Sequence, residues 1–225
     1  MAELASQPKL LAGINLTLVM SHLIVSEEQD NPLNRKQLTT FKDAVGKLGL
    51  SAKPQSLAAS SGIFLGPDYR FQMVRPGASL YGLNPLTNQP NPMRQAVKLE
   101  GKILQTRRVD AGMSVGYGAT HLVRSPGRIA TVGIGYADGF MRRMGNRAFV
   151  YIGDRRVPLV GRVSMDLITL DVSALPEDEA MPGAVVQVLG PKQSPDELAV
   201  FAETNGYEIL TSLGPRYRRV YLGGA

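Results

Sequence analysis

The first ninety residues combine apolar runs with one clearly delimited helix, and this order limits the folds available to the chain. The run INLTLVMSHLIV, residues 14–25, is rich in branched side chains and predicts a strand buried on both faces. A helix is predicted next, with Asn31 as its cap and Pro32 at its first position. The segments 54–64 and 71–82 each predict a short strand that runs into a turn. Strand, helix, strand, turn and strand in this order are typical of a parallel α/β sheet or barrel.

A different pattern begins after about residue 90. The stretch LNPLTNQPNPM, residues 83–93, contains three prolines and predicts a linker. Beyond it, short strands are predicted in VKLEGKILQTRRV, GRIATVGIGYA, AFVYIGDRRVPLV, LITLDVS and AVVQVLG. One helix is predicted there, with a capping box of Ser194 and Glu197 and its end at Gly206. We therefore expect a mostly antiparallel β domain in this half of the chain.

The first region supplies only two or three strands, whereas a barrel of parallel strands needs eight. Either the α/β part is a fragment of a larger domain, or it pairs with something outside this chain. The sequence alone leaves both alternatives open.

Composition excludes several classes of protein and site. The chain has no cysteine, and its only histidines are His22 and His121, so disulfides, thiolate metal sites and histidine-rich metal sites are excluded. No apolar run is long enough to cross a bilayer. The N-terminal MAELASQPKLLAG lacks the basic and apolar regions of a secretory signal. A cytoplasmic protein without metal or membrane partner is expected.

The net charge of +6 comes from arginines concentrated in residues 124–162 and 216–219. Such a distribution can bind the phosphate of a nucleic acid or of a small cofactor, and a solvated basic face is the commoner outcome. No nucleic-acid recognition motif accompanies it. We therefore expect no nucleic-acid partner, although salt-dependent binding to DNA or RNA would test that alternative.

Five segments combine glycines with side chains that can do chemistry. Gly116 and Gly118 flank Tyr117, which suits either a hairpin bend or the close approach of a ligand. Ser60, in LAASSGIF at a strand end, offers a hydroxyl to an anion or simply lies in a tight turn. Arg75 ends an apolar strand, where it needs an ion pair or a ligand. The segments GYADGFMRR and GRVSMD, at 135–143 and 161–166, are ligand loops or plain turns.

Taken together and in order, the segments MSHLIVSEE, LAASSGIF, MVRPGASLYG, SVGYGATH, GIGYADGF and GRVSMDLITLDVS closely resemble the alanine racemases, which depend on pyridoxal 5′-phosphate (PLP). The resemblance covers essentially the whole chain. It implies the last strands of a PLP-binding (β/α)8 barrel over residues 1–90 and a β domain over residues 91–225. It also implies a homodimer that interconverts L- and D-alanine, the D-isomer being a peptidoglycan precursor, with each active site completed by the partner's C-terminal domain.

The resemblance also assigns roles to individual residues. Two bases flank the substrate in this family, and Tyr117 matches the tyrosine base contributed by the second subunit. Met165 matches the residue whose backbone N–H holds the substrate carboxylate, also from the second subunit. Arg75 matches the arginine bonded to the pyridine nitrogen, and His22 matches the histidine that links this arginine with the tyrosine. The positions that cradle the PLP phosphate are matched by Ser60, Gly77 and Ala78.

Two departures from the family pattern stand out. The family's second base, a lysine that also binds PLP covalently, lies in a segment resembling VKANAYGHG, and no segment of this chain corresponds to it. The first five or so barrel strands have no counterpart either. In addition, Pro215 aligns with a phosphate-binding tyrosine of many members, while Tyr217 lies two residues further on. We therefore expect this chain to be a portion of a racemase that is inactive alone, or one that is complemented by an N-terminal half.

The chemistry of racemisation agrees with these residue types. A tyrosine that acts as a base needs positive charge nearby, which His22 and Arg75 together supply. An arginine at the pyridine nitrogen donates a hydrogen bond without giving up its proton, so the ring remains a modest electron sink and side reactions are limited. Two other functions remain open: a racemase of broader amino-acid specificity, and a non-catalytic β module for interaction or dimerisation.

Overall fold

A computed structural model of the protein describes residue 4 and residues 6–223. It divides the chain into two compact units, Met1–Ala96 and Val97–Ala225.

The helices and strands of the first unit are few and short apart from one helix. They are strand β1 (Val19–Met20), helix α1 (Pro32–Lys47), strand β2 (Gln55–Ser56) and helix α2 (Pro67–Arg70), with 3₁₀ turns at Pro8–Leu11, Ser61–Leu65 and Ala78–Tyr81. The two strands pair in parallel, Val19 with Gln55 and Met20 with Ser56. The parallel pairing agrees with the α/β pattern in the sequence.

Helix α1 begins as the sequence predicts. The Asn31 side chain accepts a hydrogen bond from the Leu33 backbone N–H at 3.0 Å, and Pro32 occupies the first helical position, where no N–H is needed. The helix turns Leu38, Phe41 and Val45 to the core of this unit. Its apolar stripe therefore drives packing against the strands, as the 3.6-residue periodicity indicates.

The long buried strand predicted over residues 14–25 is wrong. Only Val19 and Met20 form a strand, and Ile14, Met20 and Ile24 are exposed. Among the described residues β2 is the only strand that pairs with β1, so the branched residues on either side of the pair have no sheet in which to be buried. An apolar run indicates that a strand can be buried but not what covers it.

The predicted linker is packed rather than extended. Leu83 and Leu86 are buried, and the Asn91 side chain donates to the Gly82 carbonyl at 2.9 Å. A Cβ on Gly82 would lie 2.3 Å from the Arg94 carbonyl oxygen, so the chain folds back closely on itself here. The prolines therefore shape a compact loop.

The second unit is built on strands, as predicted. They are β3 (Leu99–Val109), β4 (Ser114–Val115), β5 (His121–Leu122), β6 (Gly127–Val132), β7 (Phe149–Ile152), β8 (Arg155–Pro158), β9 (Ile168–Asp171) and β10 (Val185–Leu189). Two helices follow, α3 (Pro195–Ala202) and α4 (Gly206–Thr211), and 3₁₀ turns lie at Tyr117–Ala119, Tyr136–Asp138, Arg142–Met144 and Asp178–Ala180.

Six of these strands form one antiparallel sheet that is nearly closed. Their order is β8, β7, β10, β3, β6 and β9, and every pairing is antiparallel. An isolated bridge between Leu159 and Leu170 joins the end of β8 to the other edge strand, β9. Side chains of alternate strand residues fill the interior, among them the fully buried Val132, Ile168 and Val186.

Helix α3 covers this sheet and has the predicted capping box. The Ser194 hydroxyl accepts from the Glu197 N–H at 3.1 Å, and the Glu197 carboxylate accepts from the Ser194 N–H at 2.6 Å. The predicted end at Gly206 is wrong: the helix ends at Ala202 with Glu203 in the left-handed region, and Gly206 begins α4 instead. Asn205 supplies the cap for α4, a helix that was not predicted from the sequence.

The described part of the chain has neither a membrane-spanning helix nor a cluster of metal ligands. No helix there combines the length and apolar character that spanning a membrane requires. No group of three or more His, Cys, Asp or Glu side chains there is placed to hold a metal ion.

Candidate functional site

The polar residues predicted in the first unit gather where three parallel segments end. Strand β1 pairs with β2, and the segment after β2 runs parallel to residues 73–75 through a bridge between Ala59 and Arg75. The Met73 N–H donates to the Gln55 carbonyl at 3.2 Å, which extends this pairing. The carboxyl ends of neighbouring parallel strands are where α/β folds place ligands. His22, Ser60 and Arg75 all follow such ends.

Arg75 is held by neutral groups. Its guanidinium donates to the Ser56 hydroxyl at 2.6 Å and to the Ser21 carbonyl at 2.7 Å, and its backbone N–H donates to the Ala58 carbonyl at 3.0 Å. In the described part of the chain no carboxylate pairs with it. A half-buried guanidinium fixed by uncharged partners keeps its positive charge available to a ligand.

His22 lies against this guanidinium. The Arg75 Nη2 atom is 3.4 Å from the His22 Nδ1 atom. A guanidinium has donors only, so Nδ1 is the acceptor in this contact and Nε2 is the ring nitrogen left to donate. The side chain of His22 is exposed, which leaves this second N–H free to meet a group from outside the unit. The structure therefore brings together two of the residues assigned by the resemblance.

A second cluster of small residues surrounds the buried Ser60. Its hydroxyl oxygen accepts the backbone N–H groups of Gly77 at 3.0 Å and of Ser79 at 3.2 Å, so its own hydrogen remains free to donate. The Ser79 hydroxyl is also buried and has no hydrogen-bond partner within the described residues. A Cβ placed on Gly77 would meet no atom within 4 Å. Unused donors next to open space fit an anionic group such as a phosphate.

Tyr117 lies at the tip of a hairpin in the second unit. Strands β4 and β5 pair on either side of it, with Val115 opposite His121, so the predicted hairpin bend is confirmed. Gly116, Gly118 and the non-glycine residue Ala119 all have positive φ, at 78°, 72° and 48°. The Tyr117 side chain is 73% exposed. The loop therefore keeps an aromatic side chain exposed to solvent, and its backbone is strained.

The backbone around Tyr117 also approaches Arg162 closely. A Cβ on Gly118 would lie 3.0 Å from the Arg162 Nη1 atom, and one on Gly116 would lie 3.0 Å from the Arg162 backbone nitrogen. Glycine is favoured at both positions because φ is positive at each, and at Gly116 a backbone neighbour also leaves little space for a side chain.

Met165 lies in a loop whose backbone is held on one side only. Its carbonyl accepts from the Ala137 N–H at 2.9 Å, and the preceding Ser164 carbonyl accepts from the Tyr136 N–H at 3.0 Å. The N–H of Met165 has no acceptor within the described residues, and the residue is 54% exposed. This N–H is therefore available to a ligand such as a carboxylate.

The C-terminal segment contacts the same turn. The Arg216 guanidinium pairs with Asp138 at 3.1 Å and with Asp166 at 2.7 Å. The Tyr217 hydroxyl is buried without a partner in the described part of the chain, and burial raises the pKa of Tyr217 above its ordinary value. Pro215, which aligns with the family's phosphate-binding tyrosine, is exposed. The basic run here is visible in the sequence, but the ion pairs are not, because they join residues far apart in the chain.

The structure thus places the predicted residues in two groups. His22, Ser60, Arg75, Gly77 and Ala78 belong to the first unit. Tyr117 and Met165 belong to the second. Ser56, a partner of Arg75, was missed, and nothing in its sequence context distinguishes it from other small residues.

Much of the arginine excess is used inside the second unit. The contacts are those of Arg143 and Arg147 with Glu203, Arg155 with Glu179, Arg128 with the carbonyls of Val172 and Leu175, and Arg156 over the Phe149 ring. A surface that attracts a polyanion needs uncompensated charge. These contacts give nucleic-acid binding no further support.

Comparison with known proteins was made on sequence and structure. Two family models match, the alanine racemase N-terminal domain over residues 1–85 and the alanine racemase C-terminal domain over residues 96–221. The chain is 55% identical to the alanine racemase of Rhodospirillum rubrum over 221 residues, which are 98% of this chain and 58% of that protein. It is 47% identical over 221 residues to a catabolic alanine racemase of Mesorhizobium japonicum, covering 98% of this chain and 57% of that one.

Solved structures agree with this result. The structure of alanine racemase from Bartonella henselae with covalently bound pyridoxal phosphate superposes with a TM-score of 0.92 at 38% identity, covering 98% of this chain and 61% of that chain. The chain therefore spans less than two thirds of the length of the relatives that it matches.

Proposed function

Because the chain belongs to the alanine racemase family, whose fold joins an N-terminal barrel-like domain to a C-terminal β domain, we propose that it forms part of a PLP-dependent enzyme that interconverts L- and D-alanine. The observation that carries the proposal is 55% identity to one alanine racemase over 98% of the chain. The contact between Arg75 and His22 adds support, since it joins two residues that the resemblance pairs.

The first unit carries the groups that would hold PLP. The free hydrogen of Ser60 and the open backbone at Gly77 and Ala78 suit its phosphate, and the Arg75 guanidinium suits its pyridine nitrogen. When bound, PLP draws electrons from the α-carbon of the amino acid and so makes the α-proton removable. We assign residues 1–90 to the last strands of a (β/α)8 barrel and residues 91–225 to the β domain.

The second unit carries the groups that would act on the substrate. Tyr117 takes or returns the α-proton on one face, and the Met165 N–H holds the substrate carboxylate. Positive charge stabilises the phenolate form of Tyr117. The pair of Arg75 and His22, joined by one hydrogen bond, supplies this charge from a distance. Tyr117 reaches this pair from a second copy of the chain, so the active form is a homodimer. A cytoplasmic location remains part of the proposal.

The 225-residue chain by itself is expected to be inactive. The reason is chemical: no segment of the printed sequence resembles the family's lysine-bearing VKANAYGHG, so one of the two bases is lacking. Incubation with PLP and L-alanine, followed by chiral chromatography, tests this point. D-alanine formed at the rate of a family member would refute it.

The activity itself is tested in a completed racemase. In this chimaera, the 225 residues replace the matched region of the Rhodospirillum rubrum relative. We expect it to racemise alanine, and Tyr117→Phe to lower kcat by about 10²- to 10⁴-fold, since general base catalysis contributes that much. Tyr221→Phe, at another exposed tyrosine, is the matched control and should change nothing.

Three outcomes would contradict parts of this proposal. A completed protein that binds PLP but does not racemise any amino acid favours the non-catalytic module. Equal rates with several amino acids favour a broad-specificity racemase. Full activity in Tyr117→Phe removes Tyr117 from the catalytic residues.

A further inference from the structure

One guanidinium in the second unit ties together two carboxylates from different loops. The Arg216 Nε atom lies 3.1 Å from Asp138 Oδ1, and its Nη1 atom lies 2.7 Å from Asp166 Oδ1. Both carboxylates raise the pKa of Arg216 above its ordinary value, the hydrogen bond to Asp166 most of all. Asp166 directly follows Met165, so this contact acts on the loop that presents the free Met165 N–H.

Asp138 is the inner end of this arrangement. Its side chain is only 7% exposed, and its second oxygen accepts from the Gly135 N–H at 2.9 Å, which fixes the carboxylate within the turn 135–139. Arg216 is its only ion-pair partner in the described part of the chain. A buried carboxylate without a counter-charge is strongly unfavourable. The buried Asp138 carboxylate therefore fixes the position of the Arg216 guanidinium.

The turn is joined directly to the Met165 loop. The N–H groups of Tyr136 and Ala137 donate to the carbonyls of Ser164 and Met165. On its other side the turn receives the Gly214 N–H at its Asp138 carbonyl, at 3.3 Å. The turn 135–139 thus contacts both the loop 164–167 and the segment 212–217. The ion pair of Arg216 with Asp166 joins the other two segments to each other.

We propose that Arg216 is a positioning residue that holds the Met165 N–H in place for the carboxylate of the amino-acid substrate. This inference rests on the proposed function. The N–H contacts the carboxylate and not the reacting α-carbon, so the contact has the same strength in the ground state and in the transition state. Loss of such uniform binding raises KM and leaves kcat nearly unchanged.

The test uses the completed racemase as its PLP-bound dimer, with Arg216→Gln and a matched control, Arg218→Gln. Arg218 lies two residues away, carries the same charge and makes no ion pair among the described residues. For Arg216→Gln we expect KM for L-alanine to rise about 10-fold, the scale of a weakened hydrogen bond to a charged group. The value of kcat should stay within about threefold, and the control should match the parent.

Two further variants separate positioning from folding. Asp166→Asn removes the exposed carboxylate of the loop and leaves the buried ion pair of Arg216 with Asp138 intact. The fold should therefore be retained while KM for L-alanine rises. Arg216→Lys keeps the positive charge but loses the planar guanidinium that reaches both carboxylates, so it should give an intermediate KM. Amide hydrogen exchange at Tyr136 and Ala137, measured on the same proteins, should become faster in Arg216→Gln and in Asp166→Asn only.

The possible results are distinguishable. If the parent racemises alanine and both Arg216→Gln and Asp166→Asn keep the parent KM, the positioning role is wrong even when exchange is faster. A fall in kcat at constant KM also overturns it. If the parent itself does not racemise alanine, the proposed function has failed, and unchanged exchange at Tyr136 and Ala137 would show that Arg216 does not hold the loop either.

Discussion

Replacement of Gly135 by alanine tests how closely the turn 135–139 and the Met165 loop must approach. Gly135 has extended backbone, with φ −148°, so the change introduces no dihedral strain. Its Cβ, however, would lie 2.3 Å from the Met165 carbonyl oxygen and 2.5 Å from the Asp166 nitrogen, both backbone atoms. The obstacle is therefore contact alone, and neither partner can rotate away.

The expected cost follows from the size of that overlap. Real Cβ atoms essentially never approach closer than 3.0 Å, so the segments must separate by about 0.7 Å. The bonds from Tyr136 N to Ser164 O and from Ala137 N to Met165 O, now 3.0 and 2.9 Å, then exceed hydrogen-bond length. Overpacking and the loss of two hydrogen bonds together lower the free energy of unfolding by about 2–5 kcal/mol.

Urea unfolding followed by circular dichroism measures this change. With an m value of about 2 kcal/mol/M, the midpoint of Gly135→Ala should fall by about 1–2.5 M. Gly133→Ala is the matched control two residues away, where the Cβ would lie 3.4 Å from a Leu104 methyl group in ordinary contact. It should be neutral or slightly stabilising. Equal midpoints for the two variants would refute the reasoning.

Two other replacements test the structure of the second unit by thermal and chemical unfolding. Ser194→Ala removes the cap of α3 and should lower the free energy of unfolding by about 1 kcal/mol relative to Ser125→Ala at an exposed serine. A smaller loss than that of Ser125→Ala would contradict the capping box. Hydrogen bonds from Arg147 first and from Arg143 next lower the pKa of Glu203. The ionised carboxylate therefore stabilises the folded chain above the unfolded pKa of 4.5. This stabilisation is lost as the pH falls through the lowered value. Glu203→Gln should therefore lower the unfolding temperature more at pH 7 than at pH 3, and an equal effect at both pH values would remove the ion pairs as its cause.

Local signals in the sequence predict the parts of the fold that depend on neighbouring residues. Asn31 with Pro32 and Ser194 with Glu197 mark helix starts correctly, because a cap is satisfied within three residues. The end of α3 was misplaced because Glu203 takes the left-handed conformation that a glycine was expected to take. The strand over 14–25 failed for a different reason, since its burial depends on partners that the run itself does not specify.

The same distinction holds for the candidate site. His22 and Arg75 could be paired in advance only through the resemblance, since 53 residues separate them. The ion pair of Arg216 with Asp166 spans 50 residues and carries no local pattern beyond a basic run. The contacts of Arg216 depend on the pairing of β6 with β9, which brings the turn after β6 beside the loop before β9.

The Tyr117 loop gives the clearest physical argument that this surface serves more than stability. A folded chain gains nothing from an aromatic side chain that is 73% exposed. It also gains nothing from Ala119 in the left-handed region, which costs about 1–2 kcal/mol for a residue with a Cβ. Arg162 packs against the backbone on the far side and limits how the loop can relax. Strain and exposure at one tip, kept in place by a close contact, fit the proposed role of Tyr117 in the site of a second subunit, and the free Met165 N–H in the same unit fits the proposed contact with a carboxylate.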